Sequence, residues 1–170
     1  AEFLYETTSF PEVAYTFKHA LTQDVAYNAI LRERQRRLHA RAAQAIEALE
    51  TIAARTAVRC VIITGAGGRA FSVGGDLYQR KNMTHEQWLR QRQVFDRLLF
   101  TLRQLRRPII AAVHGMAYGG GCEIAISTDF IIASEEAVFG QPEAIVGLSA
   151  GGGAPGFLPR VLPPGKAMQM

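Results

Sequence analysis

Three short runs rich in apolar residues, Val58–Thr64, Ile109–Val113 and Phe130–Ala133, read as strands, the first two of them buried. Between the first two, Trp88, Leu89, Phe95, Leu98, Leu99, Leu102 and Leu105 supply the apolar stripe of a long helix. A Thr84/Gln87 capping-box pair precedes that stripe and Pro108 follows it. Between the second and third runs, Gly119–Gly121 lead directly into the helical pattern Cys122, Ile124, Ala125, Ile126. Strand, helix, strand, helix, strand spells an α/β arrangement with right-handed crossovers. Residues 1–50 differ: they contain no glycine and, after Pro11, no proline. Leu31, Leu38, Ala42, Ile46 and Leu49 keep helical spacing there, which predicts two helices, Val13–Leu21 and Asp24–Glu50, with Thr22 as a plausible N-cap. Beyond Phe139 the chain reads as loop-rich.

Composition adds limits. With 48% hydrophobic and 20% charged residues over 170 positions, the chain can bury a sizeable core in one domain and has the balance of a soluble globular protein. The net charge of +4 arises from the part after residue 57. It suits a phosphate-bearing small molecule, and equally a solvated surface. Arg32, Arg34, Arg36, Arg37 and Arg41 read as a solvated helix face, and no dense basic cluster with interleaved aromatics argues for nucleic acid. Cys60 and Cys122 form no CxxC pattern, which argues against a disulfide framework or zinc site and suits a reducing, cytoplasmic compartment. His19, His39, His85 and His114 show no metal-ligand spacing. No apolar run reaches the roughly 18 residues of a membrane span, so no membrane partner is expected. Starting at Ala1 and stopping at Met170 inside a helical-looking pattern, the chain reads as cut at both ends.

The chemistry concentrates around Pro108–Glu123. Glycines at a helix start leave bare N–H groups at the positive end of the helix dipole, and Glu123 sits in the first turn of that helix. Gly74-Gly75-Asp76 is a second stretch of bare backbone, able to supply the second amide of a two-donor oxyanion hole. Glu143, in Phe139-Gly140-Gln141-Pro142-Glu143, is either a structural acid or the second member of an acid/base pair. Two other motifs fail. Gly65-Ala-Gly67-Gly68-Arg69-Ala70 matches a loose dinucleotide pattern, but Gly74 and Gly75 keep the following residues from being helical. Gly147-Leu148-Ser149-Ala150-Gly151 matches a nucleophile elbow, but no Asp, Glu or His follows Glu143, and Pro155 with the nearby glycines argues against the required helix.

From about Val58 to Met170 the sequence resembles the crotonase, or enoyl-CoA hydratase/isomerase, superfamily. The resemblance is carried by VRCVIITGAGGRAFSVGGDL, RRPIIAAVHGMAYGGGCEIAISTDFIIAS and VFGQPEAIVGL, in the family's order and spacing. It implies an α/β fold, a partial spiral of ββα units, preceded here by an α-helical N-terminal segment. It also implies amides of Gly75 and Gly120 on the acyl-thioester oxygen, and Glu123 and Glu143 as the catalytic pair. Ala70, Ser72, Asp76 and Leu77 in the loop from Ala70 to Leu77 would line the coenzyme A path, and Gly119 and Pro142 would border the substrate. Hydratases of the family keep both glutamates, so the implied reaction is reversible hydration of a 2-enoyl-CoA. No metal or other cofactor is implied, coenzyme A being part of the substrate, and assembly as a homo-trimer or hexamer is implied. The family's opening strands and C-terminal helices are expected to be missing, and SAGGGAPGFLPR departs from the family's usual segment after the second glutamate.

YTFKHALTQDVAYNAILRERQRRLHARAAQAIEALE, residues 15–50, looks instead like the helical segment after the ATPase module of large bacterial signalling ATPases and adenylate-cyclase-like regulators. No phosphate-binding motif or cyclase residues accompany it. The expected organisation is therefore a helical segment over 1–57 and a truncated crotonase-like domain over 58–170, with a seam near Thr51–Ala57. Two alternatives stay open: another crotonase reaction such as enoyl-CoA isomerisation, or a non-catalytic chain acting in assembly or binding.

Overall fold

The computed structural model describes residues 4–9, 12–17 and 42–170. They fall into two compact units, residues 1–40 and 41–170. In the first, β1 (Leu4–Ser9) and β2 (Glu12–Phe17) pair antiparallel, with Leu4 opposite Phe17 and Ser9 opposite Glu12. This corrects the expected helix from Val13. Val13, Tyr15 and Phe17 alternate with period two, and β-branched and aromatic residues favour the pleated strand. The remainder of that expected helix, together with Thr22 and residues 24–41 of the next, lies outside the described residues.

The second unit begins with α1, helical over residues 42–54 as the spacing predicts. Ile46 and Leu49 are buried against Leu98, Leu99, Leu102 and Ile109. The seam expected near Thr51–Ala57 therefore falls inside a packed unit, because α1 closes one side of its core.

From there the chain repeats one pattern. β3 (Val61–Thr64) and β4 (Ala70–Ser72) lead to α2 (Leu77–Lys81) and α3 (His85–Gln104). β5 (Ile109–Val113) and β6 (Met116–Tyr118) lead to α4 (Gly120–Ala125). β7 (Phe130–Ala133) and β8 (Val138–Gly140) lead to a 3-10 turn, Pro142–Val146, then α5 (Ala154–Val161) and α6 (Pro164–Ala167). The first strand of each unit joins one parallel sheet, ordered β3-β5-β7, and the second joins another, β4-β6-β8. Each turn of chain thus lays one rung on each sheet, which is a spiral of ββα units.

Three departures stand out, the first two with a local physical cause. β4, β6 and β8 hold three residues each and are absent from the expected elements, being too short to show a period. α5 forms despite Pro155, because that proline sits in the first turn, where its missing N–H has no intrahelical role. In α3 the expected apolar stripe is buried only in its second half, at Leu98, Leu99 and Leu102, whereas Trp88 and Leu89 are about two-fifths exposed. Its start is as expected: Thr84 and Gln87 exchange side-chain-to-backbone bonds of 3.3 and 3.0 Å.

Candidate active site

α4 is short, and what holds its start is close backbone packing rather than a side-chain cap. Gly119, its N-cap, has φ +53° and ψ −124°, a conformation that excludes ordinary side chains, and donates its N–H to the Gly140 carbonyl at 2.9 Å. A methyl at Gly119 would lie 2.7 Å from Glu143 Oε1, so the Glu143 carboxylate rests against this glycine. Gly120 meets Gly74 from the other side, with Gly74 Cα 3.6 Å from where a Gly120 side chain would begin. The Phe95 ring of α3 lies 3.1 Å from the same point. The Gly74-Gly75 stretch and the start of α4, distant in sequence, are thus in contact. The N–H groups of Gly75 and Gly120 have no acceptor among the described residues. The Arg80 guanidinium packs over Gly75, its Nη2 2.6 Å from where a side chain there would begin.

Glu123 is 3% exposed, one of the few polar residues in the core. Its Oε1 accepts hydrogen bonds from the Gly152 N–H and, at 3.3 Å, from the Ala154 N–H. The carboxylate therefore caps the start of α5, meeting donors the helix cannot use internally. Gly152 must be glycine, because a Cβ would collide with the Glu123 carboxyl group. Burial pushes the Glu123 carboxyl above the ordinary value of 4.5, and the Glu143 charge adds to this. The two amides and the Arg92 charge act in the opposite sense. Ser127 anchors the main chain here, donating its hydroxyl to the Glu123 carbonyl at 2.6 Å.

Glu143 lies in the 3-10 turn, behind Pro142. The Gln141 side chain, turned so that its nitrogen faces the carboxylate, donates to both Glu143 oxygens, at 3.2 and 3.0 Å. Glu123, Glu143, Gly119 and Gly120 are thereby brought together, with Gly75 adjoining through Gly74. Of the other expected binding residues, Ala70 and Ser72 are in β4, where the Ser72 hydroxyl accepts from the Gly74 N–H at 3.3 Å. Asp76 accepts from the Tyr78 N–H at 2.9 Å at the start of α2, and Leu77, in α2, is 47% exposed. Cys122 is fully buried beside the site, and desolvation holds its thiol up at about 11, so it is a neutral packing group.

Gly151, Gly152, Ala154, Arg92, Arg103 and Gln141 all shape this site, and none is among the site residues expected from the sequence. A signal was present in two places: the glycine run at Gly151–Gly153, and Arg92 four residues before Asp96 on a helix. No group of three potential metal ligands occurs among the described residues. No helix among them is long and apolar enough to cross a membrane.

The sequence profile of the enoyl-CoA hydratase/isomerase family matches residues 36–170. The chain belongs to that family. The match starts within the segment likened above to an ATPase regulator and includes α1. A crotonyl-CoA hydratase from Syntrophomonas wolfei is 39% identical over 114 residues, which are 67% of this chain and 44% of that protein. A short-chain-enoyl-CoA hydratase from Clostridium acetobutylicum is 42% identical over 113 residues, 66% of this chain and 43% of that one. Among solved structures, an enoyl-CoA hydratase from Bacillus anthracis superposes with TM-score 0.73 at 30% identity, covering 99% of this chain and 61% of that one. The chain spans less than half the length of these two curated relatives. Its spiral of ββα units is the fold of this family.

Proposed function

We propose that this chain carries an enoyl-CoA hydratase site, acting on a 2-enoyl-CoA thioester. The observation that carries the reading is the convergence of Glu123 and Glu143 on Gly119 and Gly120 at the start of α4, beside the amides of Gly75 and Gly120, which have no acceptor among the described residues. Those two amides would receive the thioester oxygen as it gains enolate charge, a role for preorganised donors at a developing oxyanion. Glu123 would take a proton from water while the water oxygen bonds to the β-carbon and the C=C electrons move toward the carbonyl. Glu143 would then deliver a proton to the α-carbon. The carboxylate whose proton affinity is raised by burial is suited to the base role, since a stronger base takes a proton with less cost. Coenzyme A enters only as part of the substrate, along Ala70, Ser72, Asp76 and Leu77. A homo-trimer or hexamer is part of the same reading, as is a cytoplasmic location.

The test is loss of absorbance at the enoyl-thioester band with crotonyl-CoA, for the wild type and for Glu123→Gln and Glu143→Gln. Each substitution is expected to lower kcat by about 100-fold or more. Equal rates in all three proteins would end the two-glutamate mechanism. Conversion of a 3-enoyl-CoA to its 2-enoyl isomer without hydration would instead support the isomerase reading, which the family's name equally covers.

A further inference from the structure

The loop Gly151–Gly153 is held from both sides of one peptide group. The Arg92 guanidinium, projecting from α3, donates through Nη2 to the Gly151 carbonyl. The N–H of that same peptide, belonging to Gly152, donates to Glu123 Oε1. Arg92 is in turn fixed by Asp96, whose two oxygens accept from Arg92 Nε at 2.9 and 2.8 Å. Both glycines are required by this arrangement. A Cβ at Gly151 would meet the Arg92 guanidinium, and one at Gly152 would meet the Glu123 carboxyl.

We propose that Arg92 is a positioning residue for Glu123, acting through the Gly151–Gly152 peptide group; this rests on the reading of Glu123 as the base. A peptide is planar, so holding its oxygen also aims its N–H. A cation on the oxygen draws electron density from the nitrogen, and hydrogen bonds in such a chain strengthen one another. Arg92 thereby sets both the direction of the Glu123 carboxylate and its affinity for a proton. The other Glu123 oxygen, Oε2, has no donor among the described residues and is the one left to act on water. The loop does not depend on Arg92 alone. Arg103, about three turns further along the same face of α3, donates to the Gly152 carbonyl at 3.0 Å and to Ser127 Oγ at 2.9 Å, and stacks on the Phe157 ring. Replacing Arg92 therefore removes the polarising charge while Arg103 keeps the loop in place.

Among the described residues, the charged and titratable groups around Glu123 are Glu143 from the 3-10 turn, Arg92 from α3 with Asp96 behind it, Arg103 from α3 on the Gly152 carbonyl, and the neutral Cys122 on its own helix. Loss of Arg92 removes the cation that opposes the Glu143 charge and weakens the polarisation of the Gly152 amide, so the Glu123 midpoint rises. The experiment titrates the Glu123 side-chain carboxyl by 13C NMR, assigned by its disappearance in Glu123→Gln, in the wild type and in Arg92→Met. The Gly152 amide proton is followed alongside, and crotonyl-CoA turnover is measured across pH.

The expected result is a Glu123 midpoint at higher pH in Arg92→Met and a Gly152 amide proton moved upfield. At pH below the new midpoint kcat is about tenfold lower with KM unchanged, and it recovers at high pH. An unchanged midpoint or an unchanged Gly152 amide overturns the proposal. Should Arg92→Met fail to fold, Arg92→Gln replaces it, and the same two shifts decide. The outcomes also separate this inference from the catalytic reading. Both NMR shifts in a protein without turnover support the relay and remove the hydratase. Turnover without either shift does the reverse.

Discussion

Glu123 serves two demands that pull against each other. Its carboxylate caps α5 through Gly152 and Ala154, which favours the charged form, while burial favours the neutral one, and burial is the larger effect. The consequence for stability has a definite sign. Between pH 4.5 and the raised native midpoint, the folded chain keeps a proton that the unfolded chain has released. Stability therefore declines as pH rises through that window and stays at the lowered level above it. Glutamine keeps an acceptor for the two amides but cannot ionise. Glu123→Gln is therefore expected to gain in Tm relative to the wild type as pH rises from 4 to 8, at about 2–4 °C per kcal/mol. Thermal melts that stay parallel across that range would remove burial as the dominant influence. At this scale the sequence was informative about which carboxylates lie at the glycines that start α4 and silent about what holds them. Glu123 was marked by its place after three glycines, whereas Arg92, Gly152 and Ala154 act across 31, 29 and 31 residues of chain, separations at which no periodicity points.

α3 is the element on which the site is mounted. Arg92, Phe95, Leu99 and Arg103 recur at three- and four-residue spacing and so share a face. Two of them grip the Gly151–Gly152 backbone, one covers Gly120, and Leu99 lies against Gly152 and in the core. Its first turn is secured by the Thr84/Gln87 box. Thr84→Ala is expected to lower unfolding free energy by about 1 kcal/mol in a urea titration. An unchanged urea midpoint would show that the first turns of α3 are loose in the native state, as the exposure of Trp88 and Leu89 would then suggest. The helix and its cap were readable because capping and amphipathicity are local. α5 was not, because Pro155 and the glycines before it speak locally against a helix, and only its packing through Ala154 and Leu158 against Cys122 and Ile126 decides otherwise.

For the chain as a whole, the two parallel sheets explain how distant residues meet. Residues of successive rungs lie side by side, Ile62 beside Ile110 and Ile110 beside Phe130, while Thr64, Ala112 and Ile132 form the next row of the same face. Ile62, Phe130 and Ile132 are 66%, 62% and 63% exposed, which leaves this face apolar in a single chain. Light scattering is expected to give a mass of about three or six times the 18.6 kDa chain, in keeping with the proposed assembly. A single-chain mass at micromolar concentration would exclude it.

The sequence alone determined the β5–α4 unit, the strands β3 and β7, the capped α3, and the two glutamates with their glycines. Each is written in a local pattern of apolar spacing, capping residues or bare backbone. Tertiary structure decided the rest: the second sheet, the strand pairing of β1 and β2, the inclusion of α1 in the larger unit, α5, and the hydrogen-bonded shell around Glu123. Three-residue strands are too short to carry a period, and the shell is built from contacts between segments that only the spiral brings together.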